Sequence, residues 1–212
     1  MKLIDLSQVV SPELSGVAFR QAKFLDKDGW NAKTLSLYSH SGTHVDAPIH
    51  YEVTNEGLDQ MPLDRFMADA WVVDCTHIEK KGLLKVDHLK KIADNVHSGE
   101  GLIFKTNWSQ KQGTTAYRND LPRISESLAW WIVDKGVSLI GVEPPSVADV
   151  NSLEEVTRIH QILLSGGVTI VEGLTNLEEI SEKKVMFMAF PLKIKDGDGC
   201  PVRAVAIENL WS

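Results

Sequence analysis

The chain is short of cysteine, of basic runs and of long apolar stretches, and each shortage removes a class of protein. Two cysteines, Cys75 and Cys200, stand widely apart in 212 residues. They make neither a disulfide framework nor a Cys-based zinc site, and they read as buried thiols in a reducing compartment. Lys and Arg number 22 against 29 Asp and Glu, a net charge of -7, and no Arg-rich run occurs. That balance argues against nucleic acid or an anionic membrane as the main partner. No apolar run approaches the roughly 18 residues of a membrane span. The start, MKLIDLSQVV, lacks a long apolar h-region and meets Asp5 at once. No signal peptide is expected, and the cytoplasm is the expected compartment. No repeat, low-complexity tract or Pro/Gly/Ser linker divides the sequence, so one domain over 1–212 is expected, with 43% apolar residues to build its core.

What is present alternates between strand and helix signals. Apolar, β-branched runs bounded by turn residues are LIDLS near the start, TLSLYS at 34–39, AWVVDCT at 70–76, GLIFKT at 101–106, SLIGVE at 138–143, VTIVEG at 168–173, VMFMAFPLKI at 185–194 and PVRAVAIE at 201–208. Helices are expected where apolar residues recur at helical spacing. These are 86–97, then 125–136 opening on Ser125, and a stretch from Ser152 to Gly166-Gly167 with Glu155 at capping-box distance from Ser152. Trp130 and Trp131 read as core of the second helix. The alternation predicts an α/β fold with a mixed sheet, and the strand-rich ends favour partial closure into a barrel-like core.

The segment SHSGTHVDAPIHY carries His40, His44, Asp46 and His50, although the whole chain has only 7 histidines. All four positions are even, and on a strand even positions share a face. On a helix Asp46 would lie about 200° round from His44. Yet on a straight strand His40 and His44 would stand roughly 13 Å apart, too far for two ligands of one ion with bonds of about 2 Å. The chain must therefore bend between them, and Gly42 is the residue that permits it. Pro48 fixes the exit and aims His50. Thr43 is expected to brace the loop through a hydroxyl-to-backbone bond. Imidazole with carboxylate suits zinc, manganese or iron.

A second pair completes the set. His160 lies on the apolar side of the helix near 153–165, with Val156, Leu163 and Leu164. Glu172 ends the apolar strand VTIV. Singly, each is an ordinary buried polar residue in need of a partner. Together, His40, His44, Asp46, His160 and Glu172 make five nitrogen and oxygen ligands, a suitable number for two ions bridged by carboxylates. His88 and His97 read as surface residues, His77 has no assigned role, and Trp108 is left between a pocket wall and ordinary packing.

HSGTHVDAPIH strongly resembles the signature of the cyclase family of metal-dependent hydrolases, which includes bacterial kynurenine formamidases (arylformamidases) and isatin hydrolases. The resemblance continues in order through LDQMPLDRFMADAWVVD, GVEPPSVAD, HQILLSGGVTIVEGLTNLEEI and FPLKIKDGDGCPVRAVAI, covering most of the chain. It implies a mixed sheet closing into a β-barrel-like core with flanking helices, of the swivelling β/β/α type, assembled as dimers or tetramers. It implies one or two divalent ions, zinc or manganese, on His40, His44, Asp46, His160 and Glu172, and an acid/base role at the position of His50. The implied activity is hydrolysis of the amide or cyclic amide or ester bond of a small molecule, arylformamidase-like, in tryptophan catabolism. Two stretches depart from the family pattern near the substrate. SPELSGVAFRQAKF stands where many members carry a Trp-Pro-Gly segment, and Thr106-Asn107-Trp108 stands where they often have Thr-Gly-Trp.

Two other readings compete. His44-x-Asp46 with His160 fits the two-His-one-carboxylate triad of a non-haem iron oxygenase, but leaves His40 and Glu172 without roles. A metal that only stabilises a binding protein is the other, although structural zinc favours closed Cys/His tetrahedra.

Overall fold

The strands at the centre of the molecule are apolar on both faces, as a sheet covered on both sides requires. The computed structural model describes residues 1–90 and 92–210. Among these, nine strands form one mixed sheet: β1 (Lys2–Asp5), β2 (His44–Asp46), β3 (Met67–Asp74), β4 (Gly101–Lys105), β5 (Leu139–Val142), β6 (Thr169–Glu172), β7 (Lys184–Phe190), β8 (Gly199–Pro201) and β9 (Arg203–Glu208). Their spatial order is β1-β9-β7-β3-β4-β5-β6-β2-β8. The four central strands, β3 to β6, run parallel, and antiparallel strands flank them on both sides.

The sheet curls until its two ends come close. Residues 201–208 read as one strand in the sequence, but the run divides at Val202. Its first part belongs to β8 at one edge, and the rest forms β9, one strand in from the other edge. Pro201 has no N–H to donate and is tolerated on an edge strand. The Val202 N–H then bonds the Thr43 carbonyl at 2.9 Å, and the Leu6 N–H bonds the Ala204 carbonyl at 2.9 Å. Inside the curl, Ile4, Val45, Val171, Phe187 and Cys200, from strands at both ends of the sheet, share one apolar cluster with Phe66 and Leu174. This is the barrel-like core that the strand-rich termini predicted.

The outer face is covered by two helices, α1 (Glu126–Asp134) and α2 (Leu153–Ser165). Leu128, Ile132, Ile159 and Leu163 pack there against Phe104, Ile140 and Ile170. Both helices are capped as expected, by the hydroxyls of Ser125 and Ser152. Glu155 does not return the capping bond; its carboxylate accepts from Arg123 and the Asp149 N–H instead. Trp131 is half-buried, but Trp130 points outward, its ring beneath the Arg158 guanidinium at 5.7 Å. The expectation that both tryptophans are core fails at Trp130.

Two further expectations change. The helix foreseen over 86–97 is a single 3₁₀ turn, Val86–Leu89, followed by turns from Ile92 onward; Lys91 lies outside the described residues. Val86, Leu89 and Ile92 are three apart, the 3₁₀ period, so the apolar pattern is met without an α-helix. The strand expected at 34–39 is found as Ala32–Leu37, but it pairs with Val17–Lys23 in a separate hairpin outside the main sheet. No helix among the described residues is long and apolar enough to cross a membrane.

Candidate metal centre

Gly42 adopts φ +62° and turns the chain between His40 and His44, as a bend there requires. From His44 to Asp46 the backbone is strand β2, so both side chains leave on one face. Across the antiparallel pairing with β6, His44 stands directly opposite Glu172. Helix α2 delivers His160 from above. All four side chains are buried. His44 Nε2 lies 3.3 Å from Glu172 Oε2 and 3.6 Å from Asp46 Oδ1. His160 Nε2 lies 3.3 Å from Glu172 Oε1 and 3.6 Å from Asp46 Oδ2.

The opposite ring nitrogens fix the tautomers. His44 Nδ1 faces the Gly42 carbonyl at 3.0 Å, and His160 Nδ1 faces the Val156 carbonyl at 2.7 Å. A carbonyl only accepts, so each Nδ1 donates and each Nε2 is left facing the carboxylates, where it would offer its lone pair to a cation held between them. Separations of 3.3–3.6 Å are long for an N–H···O bond. They match the spacing, about 3.4 Å, of two atoms bound to one cation at about 2.1 Å; His44, Asp46 and Glu172 offer one mutually close set, and His160 faces the other oxygen of each carboxylate. Asp46 Oδ2 is fully buried with no hydrogen-bond partner. Two imidazole Nε2 atoms, two carboxylates and an orphaned buried oxygen fit a divalent cation.

The carboxylates and imidazoles of the cluster favour each other's charged forms. Burial disfavours charge on Glu172, but His160 and His44 outweigh it and hold the carboxyl well below the usual range. Burial likewise opposes protonation of His44 and His160, and the facing carboxylates of Glu172 and Asp46 outweigh it, raising both imidazoles.

His40 and His50 form a second group around Asp46. His40 Nδ1 meets Asp46 Oδ1 at 2.9 Å, so Asp46 presents one oxygen to His40 and His44 and the other to His160. His50 follows Pro48 on the 3₁₀ turn Pro48–Tyr51 and stacks on His40 with ring centres 3.9 Å apart. His40, Asp46 and His50 each bring a ligand atom within 4.8 Å of the others'. Burial lowers the pKa of His50.

The bend is braced from behind. The Thr43 hydroxyl donates to the Gly173 carbonyl at 2.6 Å and accepts the Gln8 N–H at 2.9 Å. The Gln8 side chain also reaches the Gly173 carbonyl, at 2.8 Å. Gly173 has φ +70°, and a Cβ there would sit 2.4 Å from the Gly42 oxygen, so the two turns touch through bare backbone. The Val147 N–H holds Glu172 Oε1 at 2.7 Å. Trp108 is buried, its indole N–H donating to the Tyr117 carbonyl at 2.9 Å. His77 and His97 are exposed and His88 half-buried, all outside the cluster.

Two neighbours escaped the sequence reading. Tyr51 stacks on His160 at 4.4 Å. Asp198 Oδ2 lies 3.2 Å from His40 Nε2, 3.9 Å from His50 Nδ1 and 3.3 Å from the Ser39 hydroxyl. An aspartate between Gly197 and Gly199 at the start of a strand was its only signal.

The family model described as "Putative cyclase" matches residues 4–149. The chain belongs to the cyclase family. A kynurenine formamidase of Salinibacter ruber is 32% identical over 97% of this chain and 97% of its own length. That of Erythrobacter litoralis is 30% identical over 98% and 94%. Among solved structures, an isatin hydrolase bound to the product analogue thioisatinate has the same fold, with TM-score 0.88 at 23% identity over 97% of this chain and 91% of that one. The chain is a hydrolase of this family. The family match includes the His40–His50 motif; His160 and Glu172 lie beyond it, within the length shared with the Salinibacter relative.

Proposed function

We propose that this cyclase-family hydrolase cleaves the C–N bond of a small amide, of aryl-formamide or cyclic type, at a centre of one or two divalent ions, zinc or manganese, held by His40, His44, Asp46, His160 and Glu172. The observation that carries the proposal is the convergence of the Nε2 atoms of His44 and His160 on Asp46 and Glu172 at 3.3–3.6 Å. The names of the formamidase relatives support the bond type. When bound, the cation polarises the substrate carbonyl and lowers the pKa of a water toward neutrality. His50 takes a proton from the attacking water and returns one to the leaving nitrogen, giving a carboxylic acid and an amine. Burial lowers its pKa, which favours the neutral imidazole that can accept a proton. The oxygenase reading gives no work to Glu172, which faces both His44 and His160.

We also propose a cytoplasmic homodimer or homotetramer. Supporting the assembly, the hairpin Val17–Lys23/Ala32–Leu37 exposes Leu35 and Leu37, and next to its strands Phe24, Trp30 and Tyr38 are exposed as well. A two-stranded hairpin is marginal alone.

The test is elemental analysis of purified protein followed by anaerobic assay against N-formylkynurenine, isatin and simple lactones. Turnover without oxygen, lost on chelation and restored by zinc or manganese, is expected. A requirement for oxygen, or stable metal with no hydrolysis of any amide, lactam or lactone, would sink the reading. Light scattering gives the subunit number.

A further inference from the structure

Asp198 belongs to no ligand set described above, yet one of its carboxylate oxygens serves both histidines of the stacked pair. Oδ2 lies 3.2 Å from His40 Nε2 and 3.9 Å from His50 Nδ1. The backbone around it is pinned to the motif. The Asp198 carbonyl accepts the Ala47 N–H at 2.9 Å, on the segment that leads from Asp46 to His50. The adjoining Gly199 lies opposite Asp46, and a Cβ there would come within 2.5 Å of His40 Cε1. Only a glycine lets this loop close on the His40 ring. The Asp198 side chain is 49% exposed, so the carboxylate stands at the open side of the cluster rather than within it.

We propose that Asp198 is the positioning residue of the reaction, holding His50 in the tautomer that carries its proton on Nδ1 and leaves the Nε2 lone pair free for proton transfer. This rests on the reading of His50 as the acid/base group. A carboxylate has only acceptors, so the nitrogen that faces it must be the one bearing hydrogen. The 3.9 Å approach is longer than a hydrogen bond, and such contacts tighten when substrate fills the site. The His50 ring stacks on His40 with centres 3.9 Å apart, a contact that opposes flipping of the ring. This is the same division of labour by which a buried carboxylate orients the histidine of a hydrolytic triad.

The isosteric Asp198→Asn variant tests it in two ways. Long-range ¹H–¹⁵N spectra of histidine-labelled, metal-free protein read the tautomer directly, with His50 assigned by the loss of its signals in His50→Gln. Wild type should show the Nδ1–H form, and Asp198→Asn should move His50 toward Nε2–H. In metal-loaded protein, Asp198→Asn also weakens the bond to His40, so it is compared at saturating metal; there it should keep wild-type KM while kcat falls roughly 10–100-fold, the usual effect of removing an orienting partner. An unchanged His50 tautomer, unchanged kcat, or a kcat restored by excess metal would each overturn the assignment. If wild type hydrolyses nothing in the panel, the functional reading fails, and the spectra of metal-free protein still decide whether Asp198 sets the tautomer.

Discussion

His44 and Glu172 face each other across the β2–β6 pairing, with Nε2 3.3 Å from Oε2. Directly opposed residues on one face of an antiparallel pair are the closest side chains a sheet can offer. The sheet's own register thus builds half of the proposed centre, and α2 adds His160 to the same carboxylate at 3.3 Å.

Glu172→Gln keeps the shape and removes the charge, so it tests that convergence. Its metal affinity should fall by at least the roughly 10–100-fold typical of losing a supporting group. Wild type loaded at about 100 times its Kd gains about 2.7 kcal/mol over metal-free protein, so chelation should lower its Tm. At the same metal concentration that gain should drop in Glu172→Gln to about 1.4 kcal/mol for a tenfold loss and about 0.4 kcal/mol for a hundredfold loss, so its Tm should respond less to chelator. A variant that retains full metal by mass spectrometry removes Glu172 from the ligand set.

His50→Ala separates proton transfer from ligation. It should hold metal as wild type does and lose about 10²–10⁴-fold in kcat. Elemental analysis beside steady-state kinetics reads both. Loss of metal would instead place His50 with His40 and Asp46 as a ligand.

What the sequence disclosed follows from what is local. The even spacing of His44 and Asp46, the bend at Gly42 and the hydroxyl brace of Thr43 are short-range consequences of backbone geometry, and the structure has all three. The apolar runs of β4 to β6 were legible because a doubly covered strand is apolar nearly throughout. What stayed hidden depends on distant chain. Nothing near Asp198 says that a curled sheet returns it to His40, and nothing in PVRAVAIE marks Val202 as the crossing from one edge strand to the far side. The 3₁₀ turn at 86–89 was misread because a spacing of three satisfies both helical periods over so short a run.

Glu208 predicts the acid limb of stability away from the metal. It is buried at 1% exposure. Burial disfavours its charge, but the N–H groups of Glu182 and Ser181 and the Ser181 hydroxyl outweigh it and hold its pKa below the ordinary 4.5. A carboxyl depressed in the folded state stabilises the fold above its unfolded pKa, and that contribution disappears as pH falls through the folded value. Glu208→Gln should therefore cost roughly 1–3 kcal/mol near neutral pH, and the two stability curves should converge in acid below 4.5. Urea titrations of metal-free protein across that range decide it; parallel curves would deny Glu208 any part in the pH dependence.

Thr43→Val asks how far the brace behind the bend matters to the centre itself. Valine matches threonine in shape but neither donates to the Gly173 carbonyl nor accepts the Gln8 N–H, bonds of 2.6 and 2.9 Å in the wild type. The Gly173 oxygen keeps the Gln8 side-chain bond, while the Gln8 N–H loses the acceptor it has here. An unsatisfied polar group of this kind costs about 1–3 kcal/mol, so metal-free Thr43→Val should lose that much in urea unfolding. Thr43 adjoins His44 and Gly173 adjoins Glu172, so loosening the contact between the two turns separates opposed ligands. Metal affinity should therefore weaken as well, and Thr43→Ser, which keeps the hydroxyl, should recover both quantities. A Thr43→Val protein with weakened folding but wild-type metal affinity would show that the sheet register alone sets the His44–Glu172 distance.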